Sequence, residues 1–186
     1  MSWSLGEVHD LCLKATRGAG YSWGMAEEAG WAVRWLAERG LPGPKALAGL
    51  IAARDGVCPV GLGASIADFG QPDLAANAGR IAQPLLLLPF VARRAAEGSA
   101  FEVTLGDVPA VIWADGARID GDCPPEAEVT ISGTVPAPDG APSRTRVEVI
   151  AGDALQVLND FAGRTYAPAT EESRMRGAGA GVTDND

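Results

Sequence analysis

Apolar residues recur at three- and four-residue spacing from Leu5 through Val8, Leu11 and Cys12 to Ala15, a period that predicts an amphipathic helix over residues 5–17. Ser4 stands at its N-cap with Glu7 three positions on, the signature of a capping box. Gly18-Ala19-Gly20 ends this helix. Ser22 caps a second, from Met25 to Glu38, which Gly40 and Pro42 close. Pro44 opens a third over Lys45 to Arg54, ended by Asp55-Gly56. After a Gly-rich loop, Asp73 caps a fourth helical segment that runs to about Glu97, broken at Pro84 and again at Pro89.

From Phe101 the period shortens to two. Phe101, Val103 and Leu105, then Val111 and Trp113, read as strands, with Ala114-Asp115-Gly116-Ala117 a tight turn into Arg118 and Ile119. Val129 to Val135 and Thr145 to Ile150 read as a second strand pair across the loop Pro136-Ala137-Pro138-Asp139-Gly140. Asp153 caps a last helix reaching about Tyr166, and a Gly-rich tail follows. Helices first and strands afterwards is the order of an α+β fold, a layer of three to four helices on a mostly antiparallel sheet. The whole chain, 1–186, reads as one domain, with helices in 1–98, the sheet in 99–151, the late helix in 152–167 and the tail in 168–186.

Composition narrows the chemistry. A formal net charge of -9 offers no basic field to neutralise phosphates, which argues against nucleic acid as a partner. The opening residues carry no basic and apolar signal segment, and the most apolar run, Pro84 to Ala92, falls short of the ~20 residues a bilayer span requires, so a cytoplasmic protein without a membrane partner is expected. The three cysteines, Cys12, Cys58 and Cys123, form no CxxC pair and have no adjacent histidine, so neither a disulfide framework nor a zinc site is expected. Neither a P-loop nor a dinucleotide fingerprint is present, and no cofactor is expected.

Three features remain as candidate sites. Four of the five tryptophans, Trp3, Trp23, Trp31 and Trp35, fall in the first 35 residues. On the second helix Ala26, Ala29, Gly30, Val33 and Ala37 form a smooth face, while Trp31 and Trp35, four residues apart, share the other side; these rings are either covered by later segments or form a subunit interface. Arg17-Gly18-Ala19-Gly20 recurs as Arg176-Gly177-Ala178-Gly179, continuing to Gly181 and Asp184, and alternate glycines beside an arginine suit an anion-binding nest. Together with Trp23 these residues make a candidate binding junction. Cys58, in a loop before Gly61 and Gly63, is a candidate nucleophile if the sole histidine, His9, acts as its base; an inert buried thiol is the competing reading.

The segments Arg17 to Gly30, Val33-Arg34-Trp35-Leu36 and Gly177 to Asp186 together resemble an uncharacterised bacterial family known only as a domain of unknown function, and that resemblance implies no activity. The opening helix pair is also similar to the start of type-2 malate/lactate dehydrogenases, but Arg39-Gly40-Leu41-Pro42 stands where those enzymes carry Ser-His-Gly, and the chain is too short. The expected role is a small binding or accessory subunit, homo-oligomeric or attached to a partner enzyme, that recognises a partner protein or a small anionic metabolite. The alternative is a metal- and nucleotide-independent lyase, isomerase or hydrolase acting on a small carboxylate. Arg17, Arg34, Arg164, Arg174 and Arg176 converging on one pocket would favour the enzyme.

Overall fold

A computed structural model describes residues 2–53, 56–70, 75, 77–139 and 144–165. Trp3–Ser4 forms a short strand, β1, and Ser4 then caps α1 (Leu5–Gly18). The capping box forms as the sequence predicts: the Ser4 hydroxyl accepts from the Glu7 amide at 3.3 Å, and the Glu7 carboxylate accepts from the Ser4 amide at 2.8 Å. Those two donors hold the Glu7 carboxyl below its usual pKa. Ser22 likewise caps α2 (Trp23–Glu38), accepting from the Met25 amide at 3.3 Å. Helix α3 (Gly43–Ala53) follows, as expected.

The next stretch departs from the expectation. Pro59–Phe69, expected as part of a Gly-rich loop, is a helix, α4, ended by Gly70 in the left-handed conformation. Gly61 and Gly63 argue against a helix by propensity, but a Cβ at Gly63 would lie 2.3 Å from the Phe90 ring, so this glycine lets α4 close on the core. The fourth helical segment expected from Asp73 to Glu97, broken at Pro84 and Pro89, holds instead a strand β2 (Arg80–Ala82), a 3-10 turn (Pro84–Leu87) and a short helix α5 (Leu88–Ala92). The two prolines divide it, and Leu85, Leu86, Leu87 and Leu88 are all buried at the centre of the core. Asp55 and Asp73 lie outside the described residues.

The sheet has the order β2-β6-β3-β4-β5 and is antiparallel throughout, with β3 (Ser99–Leu105), β4 (Val108–Trp113), β5 (Gly116–Ile119) and β6 (Glu126–Pro136). Trp113 pairs with Gly116 across the expected Ala114-Asp115 turn. Between Phe101 and Glu102 the register on β6 slips by one, leaving Gly133 as the extra residue with φ +56°, a bulge that glycine accommodates. Val103, Leu105, Ala110, Ile112, Ala127 and Val129 share one face and are buried, while Glu102, Glu128, Thr130 and Ser132 lie on the other. This one-sided alternation is what an antiparallel sheet under a helical layer requires.

The second strand pair predicted from Val129 to Ile150 does not form. Val147–Glu148, β7, pairs with β1 at the N-terminal end, while β6 sits between β2 and β3. Period alone cannot choose between partners distant in sequence. The last helix, α6 (Gly152–Gly163), is capped by Ala151 without a side-chain bond, so Asp153 is a first-turn residue and not the cap. No helix among the described residues is long and apolar enough to cross a membrane.

Candidate functional site

Arg17 and Trp23, paired on the sequence pattern, do meet. The Arg17 guanidinium lies 4.8 Å from the Trp23 ring centroid and donates to the Tyr21 carbonyl, bracing the turn between α1 and α2. The Trp23 ring is 63% exposed. Gly20 holds the turn with φ +96°. Gly18 is needed for a different reason, since a Cβ there would lie 1.8 Å from the Phe161 carbonyl oxygen; its bare backbone is where α1 and α6 touch. The chain therefore reaches Arg164, the last turn of α6, beside Gly18. Arg176, Gly177, Gly179, Gly181 and Asp184, the other half of the expected junction, lie outside the described residues, as do Tyr166 and Arg174.

Trp31 and Trp35 are met by their own chain. Arg93, held by Glu28 at 2.8 Å, lies 3.3 Å from the Trp31 ring centroid, and Phe90 meets the same ring edge-on at 5.4 Å. Arg39 lies 3.8 Å over Trp35, whose exposure is 8%. Burial lowers the Arg39 pKa, against the pull of Glu38. Cys58 is half-buried at the N-cap of α4, and the His9 ring turns elsewhere, bonding Asp10 at 3.0 Å and packing on Gly30. The thiol and the imidazole expected as nucleophile and base are not joined by a hydrogen bond. Arg17 and Arg164 lie over Trp23 and Phe161 respectively, and Arg34 is exposed on α2.

A concavity of about 710 Å³, open to solvent, lies elsewhere, between α3, the N-terminal turn of α6 and the loop before β6. Pro42, Ala46, Leu85, Pro125 and Val157 supply apolar wall, and Lys45, Gln83, Asp122, Cys123 and Asp153 supply polar groups. This mix of mostly apolar wall with few polar groups is typical of ligand pockets. Lys45, Asp122 and Asp153 make no ion pair or hydrogen bond with described residues. Burial pushes the Cys123 thiol up to about 11, so it stays protonated at neutral pH.

Gln83 is the residue that sets this cleft apart. Among the described residues it is the sole non-glycine with positive φ, at φ 47° and ψ 58°, a conformation that costs a side-chain-bearing residue ~1–2 kcal/mol. Its amide N–H donates to the Pro125 carbonyl at 2.7 Å and its carbonyl accepts from Leu86, which pins the backbone between β2 and the 3-10 turn. Its side-chain amide lies over Gly49 of α3, where a Cβ would come within 2.5 Å of Nε2. That side-chain amide has no hydrogen-bond partner among the described residues. Sequence reasoning passed over Gln83 because a left-handed glutamine leaves no mark on hydrophobic period, and Lys45 and Asp153 read only as helix-start residues.

Among the described residues no group of three or more histidine, cysteine or carboxylate side chains is placed to hold a metal ion. Residues 3–81 match the model of a family described as a protein of unknown function, DUF3726. The match takes in Arg17 to Gly30 and the first four helices, while Gln83, most of the sheet and residues 177–186 lie beyond it. No curated protein and no solved structure matches the chain.

Proposed function

We propose that the protein is a small binding or accessory protein that takes a small carboxylate-bearing metabolite into the cleft between α3 and α6. The observation that carries this reading is Gln83: a residue held in an unfavourable backbone conformation, with an unpartnered amide laid over a glycine, is the kind of local strain that collects where a ligand is read. Lys45 supplies a cation with no described partner for the ligand's carboxylate. Of the arginines on which the enzymatic alternative rests, Arg17, Arg34 and Arg164 do not line this cleft, and Arg174 and Arg176 lie outside the described residues.

The test separates binding from packing. Glycine adopts φ 47° freely, so Gln83→Gly relieves the backbone while deleting the amide. The expected result is an unchanged or higher melting temperature together with loss of the saturation-transfer signals that small monocarboxylates give with the unaltered protein. A lowered melting temperature with carboxylate signals retained would make Gln83 a packing residue and end the reading.

Two further roles rest on α2 and the turn before it. The Arg17 to Trp23 turn is proposed as the seat of residues 177–186, whose Asp184 and Asp186 would meet Arg17. Assembly into homo-oligomers is proposed through the partly exposed Trp31 rather than the covered Trp35.

A further inference from the structure

From the crossing of α1 and α6 we infer that residues 177–186 dock in cis, as a latch over Trp23 of the same chain, held by Arg17 and Arg164 together. This rests on the reading of the Arg17 to Trp23 turn as the seat of that segment; it adds a second arginine and says which copy supplies the segment. Gly18 ends α1 and Gly163 ends α6, and the two ends touch: a Cβ at Gly18 would lie 3.5 Å from the Arg164 Cβ. The Arg17 guanidinium lies 4.8 Å from the Trp23 ring centroid and that of Arg164 lies 4.0 Å from the Phe161 centroid, and neither makes an ion pair with a described residue. A guanidinium that meets a ring with its face keeps N–H groups on its edge for a carboxylate.

The backbone at this crossing works against an anion. Carboxyl ends of helices carry partial negative charge, and two of them meet here, so the attraction for a carboxylate has to come from the guanidiniums. Asp184 and Asp186 offer two carboxylates to the two arginines. Ahead of them Gly177-Ala178-Gly179-Ala180-Gly181 has no side chain larger than a methyl, which lets its backbone approach the indole of Trp23, 63% exposed, closely. Residues 166–176 join α6 to this segment, and a stretch of that length reaches up to ~36 Å, ample for a seat beside Gly18. A tether this short gives its segment an effective concentration on the order of millimolar, roughly a hundredfold above that of a second chain at about 10 µM. A net charge of -9 also sets two copies against each other. Both effects favour the chain's own segment, which then keeps Trp23 from other proteins until the latch opens.

Zero-length carbodiimide cross-linking of the full chain tests this. Arg17→Lys and Arg164→Lys each put an amine where a guanidinium stood, and trypsin cutting after Arg176 releases residues 177–186 as one peptide. Each variant is cross-linked as an equal mixture of unlabelled and isotope-labelled chains, with the unaltered chain as the blank for Lys14. The expected products join Asp184 or Asp186 to position 17 in one variant and to position 164 in the other, always light to light or heavy to heavy. Arg164→Gln should also raise acrylamide quenching to the level of the chain carrying Asp184→Asn with Asp186→Asn, and a Trp23→Phe background should remove both rises. Arg164 lies over Phe161 and not over Trp23, so the segment is what connects it to that ring. Products that join light to heavy chains overturn docking in cis and leave the seat standing. A cross-link from position 17 without one from position 164, or quenching unmoved by Arg164→Gln, overturns the hold by two arginines. No product at either position, with quenching unmoved by the asparagine pair, ends the seat and the latch together.

Discussion

Gln83 and Cys123 face the same cleft and show how differently single residues are constrained. Gln83 is held by backbone bonds on both sides, so its conformation is decided by β2 and the 3-10 turn rather than by its own preference. Cys123 is constrained through charge, because its surroundings disfavour the thiolate and push it up to about 11. The unfolded chain releases that proton first, near the ordinary thiol value of ~8.5. Below that pH the folded and unfolded thiols are equally protonated and nothing is lost; as pH rises from there towards 11, the unfolded state is favoured and stability falls. Cys12, fully buried on α1, is shifted in the same direction. Urea midpoints at pH 7.5 and pH 10 should therefore differ less for Cys123→Ala than for the unaltered protein. An equal alkaline loss in both would show that the Cys123 thiolate is tolerated.

At the scale of elements, what was legible in the sequence was what is decided locally. The first three helices carry caps, period and breakers within a few residues, and the hairpin at Ala114-Asp115 carries its own turn; each forms as expected. The misses share a cause in distant partners. Helix α4 forms despite its glycines because Phe90 needs the space at Gly63, and β7 pairs with β1, more than 140 residues earlier in the chain, and not with β6. The cleft was illegible for the same reason, since Lys45, Gln83, Asp122 and Asp153 come together only when α3, α6 and the loop before β6 pack. Gly18 looked like a helix stop and candidate nest, yet it is also the crossing point of α1 and α6. Gly18→Ala should place a methyl against the Phe161 backbone, where no rotamer change can make room, and cost ~1–3 kcal/mol or more. Gly24→Ala, on an open face of α2, is the control and should be neutral or slightly stabilising. Equal stability of the two variants in urea titration would mean that α6 shifts away easily and the crossing is loose.

Across the whole molecule the helical layer and the sheet are joined by a polar bridge at the end of α2. Arg39 donates to the carbonyls of Trp35 and Asp115, both at 2.9 Å, while Arg144 reaches Asp115 at 2.9 Å and Glu38 at 3.5 Å. At the opposite end of α2 the exposed Trp23 has only Arg17 over it among the described residues, and α6 brings the chain at Arg164 to the neighbouring Gly18. Residues 166–186 follow α6 in the chain, and their acidic end is proposed to dock on this turn. Ordering a Gly-rich segment costs ~1–2 kcal/mol of backbone entropy per residue, so docking needs specific contacts, and Arg17 with the Trp23 face is the cation and apolar surface within reach. Deleting residues 177–186 should leave the melting transition unchanged, since the segment is proposed to cover a surface turn and not the core. Acrylamide quenching should rise on deletion, and a Trp23→Phe background should abolish the rise, since Trp23 is the ring the segment would cover. Salt should produce the same rise in the full-length chain by screening the Asp184 and Asp186 contacts with Arg17. Quenching that is the same with and without residues 177–186, at low salt, would mean that Trp23 is bare in both and that the segment does not dock on this turn.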